Sequence, residues 1–153
     1  GNPETRDYWN ARVRAAKNRD DMIFFSDHRD EFWHRVRAQL YEWAGREVTV
    51  LDVACGFGKF AGIFTPRNYR GVDFSEEMLK IAKAELPMYS FTLADAKADI
   101  VIPEADVIFE VNSLRSLGMS ADDFINRFTP YAKMAVATLE EGEFRISQHY
   151  AVR

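Results

Sequence analysis

The chain has 153 residues, 47% hydrophobic and 14% aromatic, which is enough for one domain with its own core and excludes a disordered segment. A net charge of −4 gives no bulk attraction to nucleic acid or an anionic membrane, and no apolar run is long enough to span a bilayer. The single cysteine, Cys55, excludes an internal disulfide and fits a reducing, cytoplasmic compartment, and no secretory leader is legible.

Residues 4–19 are expected to form a helix with a basic bias and an apolar stripe of Tyr8, Trp9, Val13 and Ala16. Met22, Ile23, Phe24 and Phe25 make an apolar patch after it. Residues 28–44 are the most regularly periodic helix, with Phe32, Val36, Leu40 and Trp43 on one face and Gly45 as the terminating residue. The chain therefore divides into a helical cap over 1–45 and an α/β core over 46–153.

The core opens on Val48, Thr49, Val50 and Leu51, a short β-branched run that reads as a buried strand ended by Asp52. Ala54, Gly56 and Gly58 follow at every second position, where small residues permit a sharp turn and close approach of a ligand to the main chain. The stretch 59–64 can start a helix whose first N–H groups face the same crevice. Strand, tight turn and helix make the first βα unit of a nucleotide-binding sheet. The three-glycine dinucleotide fingerprint is not met, because Gly62 lies too far along.

Tyr69 to Asp73 reads as a second strand ending in a carboxylate fifteen residues after Gly58. An acid there lies beside the first turn and can accept hydrogen bonds from both hydroxyls of a ribose. Ser75 is the expected N-cap of the next helix, with Glu76 and Glu77 in its first turn and Met78, Leu79, Ile81 and Ala82 on its apolar face. Met88 to Leu93 reads as the third strand, 97–105 as a loop, and Asp106 to Val111 as the fourth strand. Asn112 to Gly118 then follows at the strand end where open α/β sheets place ligands. Ser120 to Asp123 has the pattern of a capping box, starting a helix that Pro130 closes. Lys133 to Leu139 is the expected fifth strand, and Phe144 to Val152, after a turn at Glu141 and Gly142, an antiparallel sixth.

Asp52 with the Ala54–Gly56–Gly58 spacing, followed by GVDFSEEMLKIAKAE at 71–85, resembles the first two motifs of class I S-adenosylmethionine (SAM) dependent methyltransferases of the small-molecule type. The resemblance covers about 45–117 and is poor beyond, where the usual Pro-Gly-Gly turn is missing and too few residues remain for a seven-stranded sheet. It implies a three-layer Rossmann-like α/β fold, mostly parallel with an antiparallel C-terminal strand, shortened at the C-terminus and preceded by two helices.

The same resemblance implies residue roles. Ala54, Cys55, Gly56 and Gly58 would let the methionine and ribose parts of SAM approach, with Asp52 orienting the turn or the amino group. Asp73 would hold the ribose, Phe74 and Met78 would flank the adenine, and Asp95 with the backbone of Ala96 would read its edge. Glu110 and Asn112 would lie nearest the sulfonium. Tyr8-Trp9-Asn10-Ala11-Arg12 resembles a lid segment, bringing Tyr8, Trp9 and Arg12 against cofactor or substrate.

The expected reaction is in-line methyl transfer from SAM to a small-molecule acceptor, leaving S-adenosylhomocysteine; no N/D-P-P-Y string points to a nucleic-acid base or glutamine acceptor. A homodimer is compatible with this reading. No catalytic base is assigned: His28, His34 and His149 read as surface or packing residues, Cys55 as a small residue rather than a reactive one, and no metal-ligand spacing occurs. The alternative is a non-catalytic SAM-binding module or a subunit completed by a partner chain. A nicotinamide-dependent oxidoreductase is disfavoured by the missing third glycine.

Overall fold

Short runs of β-branched and aromatic residues pair into one sheet of six strands: β1 (Val50–Val53), β2 (Tyr69–Asp73), β3 (Ser90–Leu93), β4 (Ala105–Phe109), β5 (Ala132–Thr138) and β6 (Phe144–Ile146). The computed structural model describes residues 5–16, 35, 37–42, 45, 47–98, 102–138 and 144–146. The apolar patch at 22–25, the greater part of the 28–44 helix, the three histidines, the turn at 141–142 and the sixth strand past Ile146 lie outside the described residues.

The strand order is β3-β2-β1-β4-β5-β6, and every pairing is parallel except β5 with β6. From β1 the chain winds outward through β2 to β3, then returns to the other side of β1 as β4. The direction of winding reverses between β1 and β4, and the crevice outside their C-terminal ends is where such sheets hold ligands. Asp52 pairs in register with Gly71 on one side and Phe109 on the other, so it lies in the middle of the sheet.

Alternate residues of each central strand serve opposite faces. Val50, Tyr69, Val107, Met134 and Val136 join one core with Leu40, Phe60, Phe64 and Leu79. Leu51, Val53, Val72, Ile108, Ala135 and Ala137 join the other with Phe124 and Phe128. Both faces are therefore covered, giving the three-layer α/β architecture expected. Small Ala135 and Ala137 leave room for the two phenylalanine rings, whose centroids lie 4.6 Å apart.

Helix α1 (Arg6–Ala15) is capped by Thr5, whose Oγ1 accepts from the Tyr8 N–H. It packs through Val13 against Phe57 and Met78, the latter on α2 (Glu76–Glu85). Ser75 caps α2 as expected. Helix α3 (Leu114–Leu117) follows β4, and α4 (Ala121–Phe128) opens with the Ser120–Asp123 capping box. Residues 37–42 are helical, and Gly45 ends that segment at φ +67° with its N–H on Tyr41 O at 2.7 Å, the terminator read from the sequence. Among the described residues no helix is long and apolar enough to cross a membrane.

Two expectations are corrected. No α-helix follows the first turn; two 3-10 turns, Ala61–Ile63 and Pro66–Asn68, carry the chain to β2. Gly62 is a poor helix former, and Pro66 forces Thr65 to an extended ψ of 135°. Phe60, Ala61, Ile63 and Phe64 are buried while Gly62 is exposed, so the segment turns most of its side chains into the core. The second correction concerns strand ends: Asp52 belongs to β1 rather than ending it, and β4 stops at Phe109, which leaves Glu110 and Val111 in the loop.

Candidate functional site

The turn after β1 is left-handed three times, at Ala54 (φ +60°), Gly56 (φ +58°) and Gly58 (φ +81°). The two glycines serve different ends. A Cβ at Gly58 would lie 2.8 Å from the Phe91 ring, so its absence lets the turn pack on β3. A Cβ at Gly56 would meet nothing closer than the Met78 sulfur at 4.0 Å, so the main chain there is open to a ligand. Ala54 holds a positive φ without being glycine, local strain of the kind that collects at binding sites.

This turn forms one wall of a crevice of about 740 Å³, counting its open mouth. Asp52 and Cys55 line it, Phe74 and Met78 form the α2 side, and Val111, Asn112, Ser113 and Ser116 form the β4 side, with Trp9 of α1 between. Among the described residues no cluster of three or more His, Cys, Asp and Glu could hold a metal.

Asp73 ties the first two βα units together. Its Oδ2 accepts from the Gly56 N–H and its Oδ1 from the Ser75 N–H, each at 2.8 Å. A carboxylate offers about four acceptor positions, so capacity remains toward the crevice that Asp73 lines. Burial raises its pKa to about 6, against the pull of the backbone donors at Ser75, Gly56 and Phe74. Asp52 accepts from the Tyr69 hydroxyl at 2.6 Å; burial, with the charges of Asp73 and Glu110 adding, raises its pKa to about 7. Burial and the same two aspartates push the Cys55 thiol well above its ordinary value, so it is no thiolate nucleophile. The Cys55 sulfur lies 2.8 Å from where a Gly71 Cβ would stand, which fits a small packing residue.

Asp95 and Ala96 line a smaller notch that shares Ala54, Asp73, Phe74 and Ser116 with the crevice. Asp95 Oδ1 accepts from the Lys97 N–H at 2.9 Å, and Arg127 of α4 donates to the carbonyls of Ala96 and Ala98 at 2.6 and 2.7 Å, pinning this turn from behind.

Glu110 does not line the crevice. Its Oε1 accepts from the Ser113 N–H and hydroxyl, and its Oε2 from the Thr138 N–H and hydroxyl. Fully buried without a basic partner among the described residues, it takes the donors of the loop and of β5. The Thr138 hydroxyl in turn accepts from the Asn112 N–H at 2.8 Å. This clamp leaves Asn112 at φ +54° in the crevice wall while Glu110 turns away. Gly58, Tyr8 and Arg12 also stand outside the lining; the Arg12 guanidinium lies 5.7 Å from the Tyr8 ring centroid.

Sequence reading gave no individual role to Asn10, Ser116 or Arg127. Trp9 Nε1 donates to Ser116 Oγ at 3.0 Å, and buried Asn10 accepts from the Ser75 hydroxyl at 2.6 Å. Asn10 had a signal: a polar residue three before Val13, on the face the apolar stripe marks as buried.

A family model described as a methyltransferase domain matches residues 50–130, more than half of the chain. The chain belongs to the methyltransferase-domain family. Among solved structures, a SAM-dependent methyltransferase from Geobacter sulfurreducens in complex with S-adenosylhomocysteine is 17% identical with a TM-score of 0.60, over 84% of this chain and 53% of that one. Another from Thiobacillus denitrificans, also with S-adenosylhomocysteine, is 19% identical with a TM-score of 0.57, over 78% and 54%. DesVI of Streptomyces venezuelae is 18% identical with a TM-score of 0.57, over 77% and 54%. At these identities the likeness is one of fold. This methyltransferase domain spans about half the length of the solved structures it matches. No protein of curated function matches the sequence.

Proposed function

We propose that this methyltransferase domain binds SAM in the crevice and serves transfer of its methyl group, in line, to a small-molecule acceptor. The observation that carries the reading is Asp73: an acid at the C-terminal end of β2, held by the Gly56 N–H of the first turn and lining the crevice. That placement suits a carboxylate that receives ribose hydroxyls. The structures of similar fold that hold S-adenosylhomocysteine support it.

The residues present fit the cofactor. The open main chain at Gly56 admits the ribose and methionine parts. Asp52 and Asp73 are buried carboxylates without a basic partner among the described residues, and a ligand carrying a sulfonium and an ammonium offsets both. Phe74 and Met78 flank the adenine, with Asp95 and Ala96 at its edge in the adjoining notch. When bound, SAM supplies a methyl group on a sulfonium that loses its charge on transfer. The chain's own part is to align the acceptor against the β4 loop, at Asn112 and Ser113, and to exclude water beneath Trp9.

Calorimetric titration of SAM and S-adenosylhomocysteine tests this, with Asp73→Ala alongside. Micromolar binding that weakens by roughly ten- to a hundredfold in the variant is expected. No binding of either ligand would sink the reading.

A second reading, binding without transfer, draws on the composition of the β4 side, where Val111, Asn112, Ser113 and Ser116 offer no group to take a proton. Release of S-adenosylhomocysteine during incubation with SAM and a panel of acceptors decides for transfer.

A further inference from the structure

Trp9 and Asn10 are neighbours on α1, and they fasten it to opposite walls of the crevice. Trp9 reaches Ser116 on the β4 side. Asn10 reaches the start of α2, where its Oδ1 accepts from the Ser75 hydroxyl at 2.6 Å and from the Glu77 N–H at 3.4 Å. The Glu77 N–H can only donate, so it is the oxygen of the Asn10 amide that faces α2.

Ser75 is fully buried and has no freedom left. Its hydroxyl donates to Asn10 and accepts from the Met78 N–H at 3.2 Å, while its own N–H donates to Asp73 Oδ1 at 2.8 Å. A relay of hydrogen bonds therefore runs from α1 through the α2 cap to the crevice carboxylate, and every link is buried.

We propose that Asn10 is a positioning residue for Asp73: by holding the Ser75 cap it sets the carboxylate that receives the ribose, so that docking of α1 and recognition of the ribose hydroxyls are one event. This rests on the reading of the crevice as a SAM site. The coupling is reciprocal by linkage: a docked α1 raises affinity for the nucleoside, and a bound nucleoside holds α1 down. Removing the Asn10 oxygen frees the Ser75 hydroxyl to turn, and the Ser75 N–H loosens its hold on Asp73.

The test separates this from a packing role by changing the ligand as well as the protein. The full chain and its Asn10→Ala and Asn10→Asp variants are titrated with S-adenosylhomocysteine and with its analogue lacking both ribose hydroxyls. Asn10→Ala is expected to weaken S-adenosylhomocysteine about tenfold and to leave the analogue within about twofold. Asn10→Asp keeps an oxygen toward α2 and restores the wild-type affinity. Ser75→Ala breaks the relay from the other side and shows the same ligand pattern, which keeps the test decisive if Asn10→Ala does not fold. Equal loss on both ligands, or no loss on either, overturns the positioning role alone. Failure of the unaltered chain to bind S-adenosylhomocysteine overturns the SAM reading and this inference with it.

Discussion

Gly56 N–H and Asp73 Oδ2 stand 2.8 Å apart, so the turn after β1 and the acid that ends β2 form a single hydrogen-bonded unit. Neither can shift without the other. The shape of the turn and the charge of the crevice are therefore coupled.

Gly56→Ala meets an open space but a φ of +58°, so it is expected to cost the left-handed penalty, about 1–2 kcal/mol. Gly58→Ala meets the same penalty at φ +81° and also drives a Cβ to 2.8 Å from Phe91, adding about 1–3 kcal/mol of overpacking. Urea unfolding of both variants measures the difference. A smaller loss at Gly58 than at Gly56 would refute the division of labour between these glycines.

The buried aspartates give the protein an unusual dependence on pH. Burial raises Asp52 from 3.8 to about 7 and Asp73 from 3.8 to about 6, so in this interval the folded chain binds protons that the unfolded chain has lost. Their stabilising contribution is complete below pH about 4 and is lost as pH rises through about 6 and 7. The unliganded protein should be less stable at pH 8 than at pH 5.5, by an amount on the order of a few kcal/mol, and so melt at a lower temperature. Asp52→Asn should flatten much of that slope. Binding of a cationic nucleoside should run the other way, strengthening as Asp73 ionises above about 6. Melting curves and titrations across this range check both signs, and parallel trends would contradict the assignment.

Glu110→Ala should be costly to the fold rather than to ligand affinity alone. It leaves the N–H groups of Ser113 and Thr138 without their buried acceptor, at about 1–3 kcal/mol each. Denaturant unfolding should show a loss of several kcal/mol. A variant of wild-type stability that fails only to bind SAM would return Glu110 to the crevice.

Much of the fold was legible because the relevant physics is local. Ser75 caps α2 through Met78, three residues on, and Ser120 and Asp123 satisfy each other across the same span. Gly45 ends a helix by its own left-handed φ. The apolar runs of β1, β2, β4 and β5 could be found from composition, and the carboxylate at the end of β2 from its place after them.

What only the tertiary structure decided are the buried polar groups whose partners come from far along the chain. Glu110 was expected near the sulfonium, yet Thr138, 28 residues away, takes one of its oxygens and turns it from the crevice. The place of Asn10 on the apolar stripe marked it as buried, but not its partner, because Ser75 is 65 residues distant. The absent helix after Gly58 had local signals in Gly62 and Pro66, whereas the burial of Phe60, Ala61, Ile63 and Phe64 depends on what surrounds that segment. A cap or a turn meets its hydrogen-bonding needs within a few residues, so sequence alone determines it. A buried carboxylate or amide must be satisfied by whatever donors the folded chain brings to it, and only the assembled structure says which those are.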